Sequence, residues 1–274
     1  TSGDIKTFKP GGTSAPAIHF PERTFGRGRE LSAMLGSLER ALSGEAVLTL
    51  IAGGPGIGKT ALVRKLTPDI EAAEGRFAYG KFDQYRHDLP YAAFGDALGA
   101  VVKRILMGND NELEEWRKRI TGALAPNTRL MTDLVPGLAH VTGEQKPAPA
   151  TDPGNEANRF THCFRDFLSI LAGRSTPLIL FLDDLQWADA SSLSLIAHLA
   201  LTYPVPGLWL IGAFRDSEVT PDHPLIKLTA EFNHSPPGRQ VIRLGPLDSE
   251  SVEEMIAGSL CAGRSKVRRL ARII

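Results

Sequence analysis

A glycine-rich segment that ends in lysine and threonine is the part of this sequence best suited to chemistry. Its residues fit the phosphate-binding pattern G-x-x-x-x-G-K-S/T, and they are Gly53, Gly54, Pro55, Gly56, Ile57, Gly58, Lys59 and Thr60. Glycine tolerates positive φ, so successive backbone N–H groups can turn towards one anion. We therefore predict that residues 53–60, together with Ala61 at the start of the next helix, bind the phosphates of a nucleotide.

The lysine and the threonine of this motif have separate predicted roles. Lys59 should neutralise β- and γ-phosphate oxygens, and the Thr60 hydroxyl should bind Mg²⁺, a hard cation that prefers oxygen ligands. The expected ligands are therefore ATP and Mg²⁺. GTP is disfavoured because the sequence contains no Asn-Lys-x-Asp motif of the kind that reads guanine.

Two consecutive aspartates follow an apolar segment, residues 178–182 (LILFL). Asp183 is predicted to hold Mg²⁺ through water, and Asp184 to act as a general base or to orient the attacking water. A pair of aspartates could instead cap the next helix. The phosphate-binding pattern upstream favours the metal-associated role.

A second apolar segment, residues 208–214, is followed by an arginine. Ligands of open parallel sheets bind at the carboxyl ends of the strands. We therefore predict that Arg215 senses the γ-phosphate and stabilises charge during hydrolysis. The alternative is an ordinary surface pair between Arg215 and Asp216 or another acid.

Apolar patterns predict the elements that must position these residues. Predicted strands cover residues 47–52, 77–82, 178–182, 208–214 and 241–244. Predicted helices cover residues 30–41, 59 to about 68, 91–107, about 158–171 and 191–201. Residues 141–154 contain several prolines and glycines and are predicted to form an exposed loop. Strands that alternate with helices indicate an α/β fold of three layers around a mostly parallel sheet.

Composition and charge exclude several classes of protein. Lys and Arg number 31, as do Asp and Glu, so the zero formal charge provides no general attraction for nucleic acid or anionic membranes. Cys163 and Cys261 lie far apart, without the spacing of a zinc site. No apolar run reaches the roughly 18 residues of a membrane-spanning helix. We expect a soluble, cytoplasmic protein that neither binds nucleic acid directly nor inserts into a membrane.

Several further motifs, in the same order along the chain, resemble those of one family. They are residues 80–85 (GKFDQY) with Pro90 and Tyr91, residues 178–189 (LILFLDDLQWAD), residues 211–219 (IGAFRDSEV) and residues 223–225 (HPL). From about residue 25 to residue 260 the chain resembles the P-loop ATPase domains of signal-transduction ATPases with numerous domains, which are related to AAA-type ATPases. A narrower likeness is to the ATPase module of large bacterial multi-sensor serine/threonine and histidine kinases.

This resemblance implies roles for two arginines. Arg215 matches the sensor arginine of the family, and residues 25–27 match a motif that lies near adenine and ribose, so Arg27 is an expected nucleotide contact. The family usually has Gly-Arg-Glu-x-Glu there, whereas residues 26–30 read GRGRE and keep only the second acid. The implied partners are ATP and other domains of a parent protein, with self-association left open.

The resemblance also implies a division of the chain. Residues 1–21 are rich in Gly, Pro, Ser and Thr and are expected to be a linker from a preceding domain, with the P-loop NTPase fold in residues 22–244. Residues 243–247 (RLGPL) resemble the crossing into a helical lid, so residues 245–274 are expected to begin a truncated lid. We expect a fragment of a longer protein.

Three functions are compatible with these motifs. The leading hypothesis is a signalling module that is switched by ATP binding and reset by slow hydrolysis. One alternative is a non-hydrolysing scaffold in which the nucleotide is structural. Another is a P-loop kinase acting on a small substrate, which is disfavoured because no arginine-rich lid or substrate pocket can be identified.

Overall fold

The computed structural model describes residues 25–85, 89–150, 152–173, 176–231, 238–260 and 263–271. The chain forms two compact units, a larger one from Arg29 to Gly245 and a smaller one from the described residues up to Gly28 and from Pro246 onwards. The predicted linker, residues 1–21, and Cys261 lie outside the described residues. The expected domain limits remain a prediction.

A five-stranded sheet forms the centre of the larger unit. Its strands are β1 (Val47–Ala52), β2 (Arg76–Lys81), β3 (Leu178–Asp183), β4 (Leu208–Phe214) and β5 (Arg239–Arg243), in the order β2-β3-β4-β1-β5. Every neighbouring pair is parallel. All residues of β1, β3 and β4 are buried, which explains their continuous apolar sequences, because helices cover both faces of such a sheet. The predicted α/β class with a parallel sheet is confirmed.

One face of the sheet packs against the first three helices. They are α1 (Gly28–Leu42), α2 (Lys59–Arg64) and α3 (Thr67–Ala72). Their side chains Met34, Leu62 and Ile70 are fully buried in one cluster with Ile51 and Trp209 of the sheet. The helix predicted over residues 30–41 thus turns an apolar face to the core.

The opposite face of the sheet packs against a larger group of helices. They are α4 (Ala92–Leu106), α5 (Asp110–Leu124), α6 (Thr128–Leu134), α7 (Leu138–Thr142), α8 (Pro153–Leu171), α9 (Ala190–Ala197) and α10 (Pro224–Glu231). The rings of Phe94 and Phe164 meet edge to face at 5.3 Å within this cluster. A Cβ atom at Gly80 of β2 would overlap the backbone oxygen of Ala93, so only glycine allows α4 to lie this close to β2. Helices on both faces complete the three layers.

The structure corrects the predicted end of the helix that begins at Lys59. We expected it to stop near Pro68, but α2 already ends at Arg64, and Pro68 lies in the first turn of α3. Proline is well tolerated there, because the first backbone N–H groups of a helix have no intrahelical acceptor. Pro68 therefore starts a helix instead of ending one.

The predicted loop 141–154 and the helix 191–201 also need correction. The loop is shorter at both ends, because α7 extends to Thr142 and α8 begins at Pro153, again with proline in the first turn. The α-helical geometry of α9 ends at Ala197, and the chain continues as a π-helical turn, His198–Thr202.

The smaller unit contains two helices, α11 (Ser249–Ser259) and α12 (Arg264–Ala271). Ile256, Val267 and Ala271 are buried together between them. The assignment of this unit as the start of a lid remains a prediction. Across the described residues of both units, no helix is long and apolar enough to cross a membrane.

Candidate nucleotide-binding site

The register of the sheet brings the predicted functional segments to one edge. Ala52 at the end of β1 lies opposite Phe214 at the end of β4, and Lys81 of β2 lies opposite Asp183 of β3. Because the strands are parallel, the segments that follow them leave the sheet on the same side. The glycine-rich loop, the aspartate pair and Arg215 are therefore neighbours.

The loop after β1 has a conformation that requires glycine. Gly56 and Gly58 have φ values of 72° and 99°, in the left-handed region that other residues rarely adopt. At Gly53 an added Cβ would lie only 2.8 Å from the backbone oxygen of Leu244, which follows β5. The loop thus curves tightly from the end of β1 into α2, whose first residue is Lys59.

The side chain of Lys59 folds back over this loop. Its Nζ donates hydrogen bonds to the backbone oxygens of Gly53 at 2.7 Å and Gly54 at 2.9 Å. Burial lowers the pKa of Lys59, and the nearby Asp183 carboxylate opposes that shift. These contacts hold the ammonium group beside the backbone of the loop.

Thr60 and Asp183 are hydrogen-bonded to each other at the edge of the sheet. Thr60 Oγ1 donates a hydrogen bond of 2.8 Å to Asp183 Oδ2. The other carboxylate oxygen, Asp183 Oδ1, accepts a hydrogen bond of 3.0 Å from the backbone N–H of Asp184. A hydroxyl beside a buried carboxylate suits Mg²⁺, which typically takes one or two protein oxygens and completes its shell with phosphate and water.

Asp184 is buried and paired with two cations. Its Oδ2 lies 3.2 Å from Lys81 Nζ, and its Oδ1 lies 3.4 Å from Arg215 Nε. The hydrogen bond with Asp184 raises the pKa of Lys81. Asp184 also has φ of 55°, a left-handed conformation that is uncommon outside glycine and is tolerated best by Asn and Asp. Strained backbone of this kind concentrates at functional sites.

Arg215 is held by more than one neighbour. Its Nη1 donates a hydrogen bond of 2.7 Å to Glu218 Oε1, and its guanidinium carbon lies 5.0 Å from the centre of the Trp187 ring. The hydrogen bond to Glu218 is the main cause of a raised pKa for Arg215. The surface-pair alternative is thus partly correct, although the acids are Glu218 and Asp184, whereas Asp216 Oδ1 accepts from the backbone N–H of Ser217.

A cavity of about 250 Å³ lies among these groups. Most of the residues predicted for the site line it, and the lining consists of Pro55, Gly56, Ile57, Gly58, Lys59, Thr60, Ala61, Lys81, Asp183, Asp184 and Arg215. The fold thus unites the residues predicted for phosphate, metal and sensor roles. Arg27 belongs to the smaller unit and is buried, and its nucleotide contact remains a prediction.

Three residues in or next to the site had no role predicted from the sequence. Lys81 appears in the sequence only as part of a family motif, and its pairing with Asp184 depends on β2 lying next to β3. Gln186 donates from Nε2 to Asp184 Oδ1 and accepts at Oε1 from the Arg215 backbone N–H. Glu218 follows Arg215 by three residues, a spacing that offers a weak signal for a local ion pair.

Comparison with known proteins agrees with this geometry. The chain is 34% identical over 175 residues to the hybrid signal transduction histidine kinase G of Dictyostelium discoideum. That match covers 64% of this chain but only 5% of the much longer relative. Among solved structures, Cdc6p from Pyrobaculum aerophilum has a TM-score of 0.50 and 16% identity, with 92% of this chain and 56% of that chain covered. At this identity the likeness concerns the fold alone.

The family is shown by a match over most of the chain. Residues 23–211 match the AAA ATPase domain. This span includes the glycine-rich loop and the aspartate pair, and it ends within β4, just before Arg215. The resemblance inferred from the sequence motifs is confirmed at this level, and the chain belongs to the AAA ATPase domain family.

Proposed function

We propose that this domain binds ATP with Mg²⁺, hydrolyses it slowly and acts as a nucleotide-controlled switch within a larger signal-transduction protein. The observation that supports this function best is the cavity lined on one side by the glycine-rich loop and on the other by Asp183, Asp184 and Arg215. These are the groups needed to hold phosphates, a metal ion and a reacting water together.

The glycine-rich loop and Lys59 would bind the phosphates. Residues 53–60, apart from Pro55, would provide backbone N–H groups, and the Lys59 ammonium would exchange its contacts with Gly53 and Gly54 for phosphate oxygens. The Thr60 hydroxyl would bind Mg²⁺ and Asp183 would hold it through water, and their adjacent oxygens fit this ion. When bound, Mg²⁺ supplies charge neutralisation at the β- and γ-phosphates. Arg27 is proposed as a further contact to the nucleotide.

Hydrolysis is assigned to Asp184. Its carboxylate would accept a proton from the water whose oxygen bonds to the γ-phosphorus, while the bond from that phosphorus to the β–γ bridging oxygen breaks. The products are ADP and inorganic phosphate. Both oxygens of Asp184 already face a cation, Lys81 or Arg215, so water must compete for the carboxylate. This competition is the reason for proposing slow turnover.

The switch is assigned to Arg215. A ligand shifts a conformational equilibrium only if it interacts differently with the two states. Arg215 already has two acidic partners, so a γ-phosphate would replace or share existing contacts. The histidine kinase relative supports a signalling context, and we place the domain in the cytoplasm with other domains of its parent as partners.

The pairing of Asp184 with two cations also favours one competing function. If those pairs persist with nucleotide bound, the domain would bind ATP without hydrolysing it and would serve as a nucleotide-dependent scaffold. The two functions differ in turnover and share the binding residues.

The test measures ATP binding by calorimetry and phosphate release at steady state, with GTP as the competing nucleotide. We expect Lys59→Ala to abolish binding, and Asp184→Asn to bind ATP with little phosphate release. Lys65→Ala is the matched control, because Lys65 is an exposed lysine six residues further on. Binding without turnover in the unmodified chain would support the scaffold, and equal ATP affinity for Lys59→Ala and the unmodified chain would overturn both functions.

A further inference from the structure

Glu218 is an acid outside the cavity that binds an arginine inside it. The residue ends a short 3₁₀ turn, Asp216–Glu218, and its backbone N–H donates a hydrogen bond of 3.1 Å to the carbonyl oxygen of Arg215. This turn brings Glu218 Oε1 back to within 2.7 Å of Arg215 Nη1. In the part of the chain that the structure describes, Arg215 lines the cavity and Glu218 does not. The two residues therefore join the candidate site to the surface next to it.

Other contacts hold Arg215 without help from Glu218. The guanidinium group lies over the ring of Trp187, and its Nε lies 3.4 Å from Asp184 Oδ1. The backbone N–H of Arg215 donates a hydrogen bond of 3.1 Å to Gln186 Oε1. Because these contacts fix both the backbone and the guanidinium plane, the carboxylate of Glu218 is not needed to place Arg215 at the cavity.

What Glu218 adds is negative charge at the guanidinium. Asp184, the other acid in contact with Arg215, is shared with Lys81. Glu218 Oε1 has Arg215 as its partner, and Oε2 lies 3.4 Å from the uncharged Gln186 amide. The Glu218 side chain is 35% exposed, so it can leave Arg215 and be solvated by water at little cost. A phosphate that approaches Arg215 therefore competes chiefly with Glu218.

We propose that Glu218 is a specificity-determining residue that competes with the terminal phosphate of a nucleoside triphosphate for Arg215. It would thereby reduce the preference for triphosphate over diphosphate and set the ATP-to-ADP ratio at which the domain switches. This inference rests on the proposed function. It concerns the ratio of ATP affinity to ADP affinity. A change in the overall stability of the fold would not alter this ratio.

The test is a double-mutant cycle on nucleotide affinity. Calorimetry gives the ATP and ADP dissociation constants, in Mg²⁺, for the unmodified chain, Glu218→Gln, Arg215→Ala and the double variant. Glutamine keeps the shape and an acceptor oxygen but removes the charge. We expect Glu218→Gln to raise the ratio of ATP to ADP affinity about two- to five-fold, the size of a partly exposed ion pair, with ADP affinity unchanged. In the Arg215→Ala background, Glu218→Gln should leave the ratio of ATP to ADP affinity unchanged.

A matched control separates the effect of the contact between Glu218 and Arg215 from the effect of removing any nearby negative charge. Asp216→Asn removes the same charge at an exposed neighbour whose Oδ1 accepts from the backbone N–H of Ser217. We expect it to leave the affinity ratio unchanged, and Glu218→Asp to keep the ratio nearer to that of the unmodified chain than Glu218→Gln does.

The outcomes distinguish this inference from the proposed function. If the unmodified chain binds ATP and ADP but Glu218→Gln leaves the ratio unchanged or lowers it, the inference is wrong and the proposed function stands. An equal rise in the Arg215→Ala background, or in Asp216→Asn, would also overturn it. If the unmodified chain binds neither nucleotide, both are wrong.

Discussion

Replacing Thr60 with valine tests the metal assignment and the geometry of the site together. Valine keeps nearly the same shape but cannot donate the hydrogen bond of 2.8 Å from Oγ1 to Asp183 Oδ2. Asp183 is only 6% exposed, so water cannot fully replace the lost donor. Hydrogen bonds to charged groups contribute about 1.5–3 kcal/mol. We expect a loss near the lower end, about 1.5 kcal/mol in the free energy of unfolding, because Asp183 Oδ1 keeps its bond from Asp184.

The assay for Thr60→Val has two parts. Urea unfolding without nucleotide gives the change in stability, and ATP binding with and without Mg²⁺ gives the contribution of the metal. We expect the Mg²⁺-dependent gain in affinity to fall about tenfold, which corresponds to roughly 1.4 kcal/mol. Thr60→Ser is the matched variant, since it keeps the hydroxyl and should keep the Mg²⁺ dependence. Wild-type stability and full Mg²⁺ dependence in Thr60→Val would refute the assignment.

Two further predictions concern the glycine-rich loop and its lysine. Gly53→Ala should destabilise the fold by about 1–3 kcal/mol, because the new methyl would lie 2.8 Å from a backbone oxygen. Gly54→Ala is the control and should unfold like the wild type, because no atom lies within 4 Å of the position of its Cβ. Equal urea midpoints for the two variants would contradict the packing of the loop. Burial lowers the pKa of Lys59 in the folded chain below its ordinary value of 10.5. At a pH between the folded and the unfolded pKa, the unfolded chain binds more protons than the folded one, so the contribution of Lys59 to stability rises with pH. Lys59→Met should remove that rise in urea unfolding measured across the alkaline range, and an unchanged slope would show that Lys59 is not its source.

The strands and the glycine-rich loop between β1 and α2 were predictable because their signals are local. The strands at residues 47–52 and 208–214 have the predicted limits, since each is an apolar run bounded by residues of a different kind. Helix limits near Pro68 and Pro153 were not predictable in the same way. Proline is compatible both with the end of a helix and with the first turn of the next one, and packing decides between them.

The sequence by itself determined which residues can do chemistry. Residues 53–60 form a glycine-rich loop, residues 183–184 an acidic pair and Arg215 a cation, each at the end of a strand. These features are visible in the sequence because backbone conformation and ligand preference are properties of short segments. Their roles in binding and turnover are the subject of the experiments above.

Only the tertiary structure decided which of these groups meet, and with what. The order β2-β3-β4-β1-β5 places Lys81 beside Asp184, although 103 positions in the sequence separate them (184 − 81). The turn after β4 brings Glu218 to Arg215, and a second turn brings Trp187 beneath the same guanidinium. Such contacts depend on strand order and register, which follow from packing across the whole sheet and not from any one segment.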